Sequence, residues 1–355
     1  MTAKQLLARF AAWRENGQPM VLASVFETAG STYSKAGAQM LMTADGRFQG
    51  MLSGGCLEGD LAERARLVAE SGEPQSVTYD LGASDEELWG LGVGCDGLMR
   101  IFLQLLDPGS GYEPFATMVR AFEGHDRQVA ATVIESDHAG LLPGSGLVTV
   151  EGDVAYTDID DEFREAVSAA AGKVLLAGQS NTEAIAFDKS RARILFTILE
   201  PPPAVLVLGA GLDAEPVVRF AAELGWRVTV QDHRPAYVEA GNFAGADAVQ
   251  CRPVRSFAEE LEIDRYDAVI VMSHHLASDR EYLRQLARSR IPYIGLLGPI
   301  DRRRRLLDDL EALAEKLADR LHGPAGLDLG GRGPASIALS IVAEMHAALH
   351  RPDQA

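Results

Sequence analysis

The stretch 205-VLVLGAGLDAEPVVRFAAELGWRVTVQD-232 decides the fold. Four apolar residues, Val205 to Leu208, run into Gly209 and Gly211. Ala214 completes a GxGxxA arrangement, and an amphipathic segment near 213–224 leads to a second apolar run that ends at Asp232. A short continuous apolar run reads as a strand buried on both faces, and a glycine turn opening straight into a helix reads as the first unit of a dinucleotide-binding domain. The glycines let the backbone approach a diphosphate, whose charge is met by amides at the helix start. An acidic residue about twenty positions on accepts from a ribose hydroxyl, the role expected of Asp232. The competing reading is a turn that only packs helix on strand.

Downstream the alternation continues with 267-DAVIVMS-273, a helix near 278–289 and 292-PYIGLLG-298. Such alternation implies a parallel sheet covered on both faces, with ligands at the carboxyl ends of the strands. That edge would gather Ser273, His274, His275, Gly295, Gly298 and the run 301-DRRRR-305. Arginines opening a helix oppose its dipole unless an anion lies near, so Arg302 and Arg303 are candidate phosphate partners, with a solvated helix face as the alternative. His274 and His275 are adjacent, point apart and make a poor metal pair.

Upstream, 200-EPPPA-204 can neither continue a helix nor sit in a central strand, which places a domain break there and predicts domains at 1–200 and 201–355. Residues 20–27, 38–43, 99–106, 128–135 and 192–199 read as strands, separated by glycine-rich loops, and residues 57–70 as a helix. The fold class is therefore α/β: a C-terminal Rossmann-type doubly wound parallel sheet preceded by an α+β N-terminal domain.

A formal net charge of -18 repels phosphate backbones and excludes nucleic acid as a partner. The opening 1-MTAKQLLARFAAWRENG-17 reads as an amphipathic helix and not a signal peptide, and no window approaches a membrane span, so a cytoplasmic protein with no membrane association is expected. Three cysteines, odd in number and widely spaced, form no disulfide framework.

Two of those cysteines sit among glycines. In 51-MLSGGCLEGD-60, Cys56 follows Gly54 and Gly55 at a helix start, where a thiol pKa falls because a thiolate gains from free amides and the dipole; Glu58 works the other way. In 90-GLGVGCDG-97, Cys95 follows Gly94 in a loop too rich in glycine to bury it. For either cysteine, a small residue tolerated in a tight turn is the plainer alternative. Cys251 looks ordinary. The loop 29-AGSTYSKAGAQM-40 adds hydroxyl and amide donors with Lys35 as a counter-charge.

The runs 30-GSTYSKAGAQMLMTADGRFQGMLSGGCLEGD-60, 89-WGLGVGCDG-97, 205-VLVLGAGLDAEP-216, 225-GWRVTVQDHRPAY-237, 293-YIGLLGP-299 and 322-HGPAGLDLGGRGPASIALSIVAE-344 together resemble the XdhC family, the xanthine dehydrogenase accessory factors. They occur in the family's order over nearly the whole chain. The departures are Asp96, where glycine or asparagine is frequent, and 273-SHHLASD-279, which differs from a more usual threonine, histidine, asparagine pattern.

The resemblance implies a chaperone that binds molybdenum cofactor, as molybdopterin or its dinucleotide, supports its sulfuration, and hands it to a xanthine dehydrogenase-like molybdenum hydroxylase. It implies a cysteine desulfurase as sulfur source and a homodimer. Carried over by motif, Ser53, Gly54, Gly55, Cys56 and Glu58 with Gly94 and Cys95 form the thiol segments that touch the cofactor, Cys56 and Cys95 being the candidate metal contacts. Gly209, Gly211, Asp213, Asp232 and His274 form the crevice, and Gly323, Pro324 and Asp328 a loop near it. The alternative is an NAD(P)-dependent oxidoreductase, for which His274 is the candidate proton donor, or a nucleotide-sensing module.

Overall fold

The computed structural model describes residues 2–80, 97–187 and 190–350. The chain divides into two compact units, Met1–Pro201 and Pro202–Ala355.

In the first unit, helix α1 (Ala3–Glu15) is closed at its start by a capping box between Thr2 and Gln5. Strands β1 (Met20–Gly30), β2 (Gln39–Thr43), β3 (Phe48–Gln49), β4 (Gln75–Asp80) and β5 (Gly97–Leu106) form an antiparallel sheet in the order β3-β2-β1-β5-β4, with helix α2 (Glu58–Ser71) between β3 and β4 in sequence. The period of two along β1 sends Val21, Ala23 and Val25 to one face, where Leu57, Leu61, Ala65 and Val68 pack. Met20 and Leu22 go to the other, against Leu6, Phe10 and Trp13 of α1.

A second antiparallel sheet follows. Helix α3 (Phe115–Glu123), strands β6 (Gln128–Ser136), β7 (Gly146–Val150) and β8 (Asp153–Thr157), helix α4 (Asp161–Ala177), and strands β9 (Asn181–Phe187) and β10 (Ser190–Leu199) assemble with strand order β8-β7-β6-β10-β9. Helix α4 lays Phe163, Val167, Ala171 and Val174 on it. This half is more regular than its sequence suggests. Strands such as β4, QSVTYD, alternate buried and exposed residues and lack the apolar run that makes a strand conspicuous.

The second unit is a six-stranded parallel sheet in the order β13-β12-β11-β14-β15-β16, the doubly wound arrangement expected. Its elements are β11 (Ala204–Leu208), α5 (Ala214–Glu223), β12 (Arg227–Asp232), α6 (Pro235–Ala240), β13 (Ala248–Cys251), α7 (Phe257–Glu260), β14 (Ala268–Val271), α8 (Leu276–Leu286), β15 (Tyr293–Leu296), α9 (Ile300–Leu310), β16 (Leu321–His322) and α10 (Pro334–Leu349). Val205, Val207 and Ile270 face α5 and α10, while Leu206, Leu208, Val269 and Val271 face α8 and α9, so both sides of the sheet are dry. Burial on both faces is why these strands read as unbroken apolar runs. No helix among the described residues is long and apolar enough to cross a membrane.

Candidate functional site

The parallel sheet reverses its strand order beside β11, and the glycine turn leaves the sheet there. Gly209 has φ +129, and a methyl on its α-carbon would lie 2.5 Å from the Met272 carbonyl oxygen, so β14 itself demands the glycine. Its amide donates to the Gln231 carbonyl at 2.8 Å, tying β11 to β12.

Asp232 ends β12 as expected, and the fold supplies it with donors of its own. Its carboxylate is fully buried and accepts from the Ala210 amide (2.8 Å) and from Arg234, through the amide (2.9 Å), Nε (2.9 Å) and Nη2 (2.7 Å). Burial works to raise its pKa; the Arg234 guanidinium and the two amides outweigh it and hold the group below the usual aspartate value. A ribose hydroxyl would have to displace one of these donors. Arg234 also reaches the Ser273 carbonyl at 3.2 Å and stacks 3.7 Å above the Tyr237 ring, bridging β12 to the end of β14. Neither Arg234 nor Tyr237 was singled out for the crevice from sequence. The available signal was a cation two residues after the acidic strand end.

Above the second glycine lies another pair. Asp213 precedes α5 without capping it; its Oδ1 is 2.7 Å from where a Gly211 methyl would sit, and its Oδ2 is 2.6 Å from His274 Nε2. A carboxylate with an imidazole partner thus occupies the helix start at which a diphosphate would be held. His275 turns the other way, its Nδ1 2.9 Å from Ser278 Oγ at the start of α8.

The arginine run is divided by its surroundings. Arg302, expected as a free counter-charge, is bound to buried Asp279 through Nη2 (2.5 Å) and Nε (3.2 Å), and Asp279 also accepts from Ser273 Oγ at 2.5 Å. Arg304 pairs with Asp301 at 3.3 Å, so two of the four cations are neutralised locally, which offsets their conflict with the α9 dipole. Arg303 differs: its side chain lies against Gly323, its Nε is buried, and that atom has no hydrogen-bond partner. Asp279 carries no signal of this role in the sequence, because an aspartate in a first helical turn looks like any helix-start residue.

The loop after Gly323 lines an open concavity of about 540 Å³ with Ile300, Ile337 and Ser340. Glu344 of α10 secures that loop by accepting from the Gly326 amide (2.8 Å) and the Tyr293 hydroxyl (2.6 Å). Burial raises the Glu344 pKa, and His322, Tyr293 and the Gly326 amide together bring it below the ordinary glutamate value.

In the first unit, Ser53, Gly54, Gly55, Cys56 and Glu58 form one compact loop. Glu58, 3% exposed, opens α2 and accepts from the amides of Leu52 (3.0 Å), Ser53 (3.0 Å), Gly55 (3.0 Å) and Leu57 (3.2 Å) and from Ser53 Oγ (2.5 Å). Burial opposes its charge, and the Ser53 hydroxyl and the loop amides prevail, leaving its pKa below the glutamate norm. The sequence expects free amides near Cys56 at the helix start, but the Gly55 and Leu57 amides on either side of it are already engaged by Glu58. Cys56 is a reduced, partly exposed thiol. Gly54 lies under the Tyr33 ring, 3.5 Å from where its methyl would be, and the space beside Gly55 is open to 4 Å.

Gly94 and Cys95 lie outside the described residues. Gly97 pairs with Gly30, and a methyl on it would meet the Ser31 carbonyl at 2.5 Å. The glycine-rich 29–40 loop and the start of β5 are therefore neighbours. Among the described residues, no group of three or more His, Cys, Asp and Glu side chains is placed to hold a metal ion.

Two family descriptions match the chain, the XdhC Rossmann domain over residues 205–345 and the XdhC and CoxI family over residues 13–80. The chain is 30% identical over 335 residues to a Bacillus subtilis (strain 168) protein described as a probable xanthine dehydrogenase subunit, covering 93% of each. It is 22% identical over 332 residues to PaoD of Escherichia coli (strain K12), described as a molybdenum cofactor insertion chaperone, covering 93% of this chain and 83% of that one. A solved structure of a Bacillus halodurans protein described as a xanthine dehydrogenase matches with a TM-score of 0.77 at 27% identity, covering 100% of this chain and 97% of that one.

Proposed function

The chain belongs to the XdhC family, and from that premise we propose that it is an accessory chaperone for a xanthine dehydrogenase-like molybdenum hydroxylase. Its cargo is molybdenum cofactor, as molybdopterin or the dinucleotide; it supports sulfuration of that cargo and delivers it to the client. Similarity over most of its length to a protein described as a molybdenum cofactor insertion chaperone supports this reading. A cysteine desulfurase supplies the sulfur, and the chaperone works in the cytoplasm as a homodimer.

The chemistry of the donor set suits such cargo. Cys56 offers a soft sulfur beside open space, matching a metal that favours sulfur ligands. Cys95 is the second thiol of the proposal.

The observation that carries this over the oxidoreductase and nucleotide-sensor readings is the state of the Rossmann crevice. The ribose acceptor, Asp232, is saturated by Arg234 and Ala210, and the Asp213–His274 pair stands over Gly211. Nicotinamide nucleotide binding in the usual pose would require both to open, which disfavours a hydride-transfer enzyme.

Co-expression of a client hydroxylase with wild type, Cys56→Ser, Cys95→Ser and the double variant tests the proposal, the sulfurated active fraction of the client being measured. Loss with the Cys56 variant is expected, together with a pterin among small molecules released from denatured wild type. A fully active client with the double variant, or reduced nicotinamide turnover by the purified chain, overturns it.

A further inference from the structure

The thiol loop is shaped by a single carboxylate. Five donors converge on Glu58, and Ser53 Oγ accepts in turn from the Leu57 amide at 2.8 Å. The positive φ values of Gly54 (+81) and Gly55 (+110) allow the chain to wrap inward around it. Glu58 itself is the first residue of α2, fixed by the packing of Leu57, Leu61 and Ala65 on the first sheet. We propose that Glu58 is the positioning residue of the thiol site: its carboxylate holds the Leu52–Leu57 loop closed, engages the amides on either side of Cys56, and so sets the placement and accessibility of that thiol. The proposal deepens the cofactor-chaperone reading, resting on it for the use of the thiol but not for the geometry.

The role requires a carboxylate. Both oxygens face donors only, so a carboxamide of the same shape would turn an N–H against either the Leu52 and Ser53 amides or the Gly55 and Leu57 amides. An aspartate lacks the length to reach the set. Loss of the carboxylate also releases the Gly55 and Leu57 amides on either side of Cys56, so the segment that carries the thiol is no longer held.

The test follows Cys56 alkylation by iodoacetamide at neutral pH in apoprotein, resolved by peptide mass spectrometry, with exposed Cys251 as internal reference, beside amide hydrogen exchange of the Leu52–Leu57 loop. In Glu58→Gln the Cys56 rate should rise about threefold or more and the Leu52, Ser53, Gly55 and Leu57 amides should lose protection, while Cys251 and the later turns of α2 are unchanged. A general loosening would speed Cys251 and α2 as well. An unchanged Cys56 rate with the loop amides still protected overturns the proposal. If the variant fails to fold, amide hydrogen exchange in wild type decides. Leu52, Ser53, Gly55 and Leu57 should exchange slowly, and exchange as fast as in an open loop overturns the proposal. No step uses the cofactor, so a failed client assay leaves this result standing, and the reverse.

Discussion

Replacing Gly209 by alanine probes the point where β11, β12 and β14 meet. The new methyl would lie 2.5 Å from the Met272 carbonyl oxygen, 2.6 Å from its carbon and 2.8 Å from the Ser273 α-carbon. All three are backbone atoms, and the Met272 amide is held to the Leu208 carbonyl at 2.9 Å, so relief must come from moving a strand end and not a rotamer. Overpacking of this kind costs about 1–3 kcal/mol. The φ of +129 adds backbone strain of about 1–3 kcal/mol for a residue with a side chain. The expected total is about 2–6 kcal/mol if the two contributions add. Gly330→Ala is the control, since that residue has φ +76 but nothing within 4 Å of its methyl position, leaving a strain of about 1–2 kcal/mol alone. The assay is amide hydrogen exchange of peptides covering β11 and β14, where protection reports the opening free energy of the parallel sheet. Exchange should accelerate at least about tenfold more in Gly209→Ala than in the control, because about 1.4 kcal/mol is a factor of ten. Equal acceleration in the two variants would refute the reasoning, because the close approach of β14 would then carry no cost.

Stability should also fall in acid. Glu58, Asp232 and Glu344 all titrate below the reference values of 4.5, 3.8 and 4.5. The unfolded chain therefore binds more protons in that range, so their contribution is complete above those values and is lost as pH falls through the lower folded ones. Urea midpoints should be level above about pH 5.5 and decline below about pH 4.5, whereas a midpoint that rose on acidification would contradict the hydrogen bonding described. In the crevice, Asp213→Asn should tighten binding of inorganic pyrophosphate about two- to fivefold by calorimetry, since it removes a carboxylate from a helix start. Arg303→Ala should weaken it about tenfold with little change in melting temperature, and unaltered affinity in both would place the anion elsewhere.

The second unit was legible from sequence because a parallel sheet buried on both faces writes itself as apolar runs, and the GxGxxA turn marks the place where the chain must pass close to β14. The first unit was half legible: β1, β5, β6 and β10 are long and apolar, but edge strands such as β4 and β9 alternate and leave no run to read. The sequence by itself placed Cys56 in a glycine loop and an acid at the end of β12. Tertiary structure decided what those groups do. Whether a carboxylate is free for a ligand depends on which donors surround it, and those donors are set by folding. Arg234 and Ala210 claim Asp232, and Asp279, six residues after Ser273, claims Arg302. The amides of Leu52, Ser53, Gly55 and Leu57 claim Glu58. A buried charge must be paired where it lies, and the pairing is a property of three-dimensional neighbours that residue type and spacing do not contain.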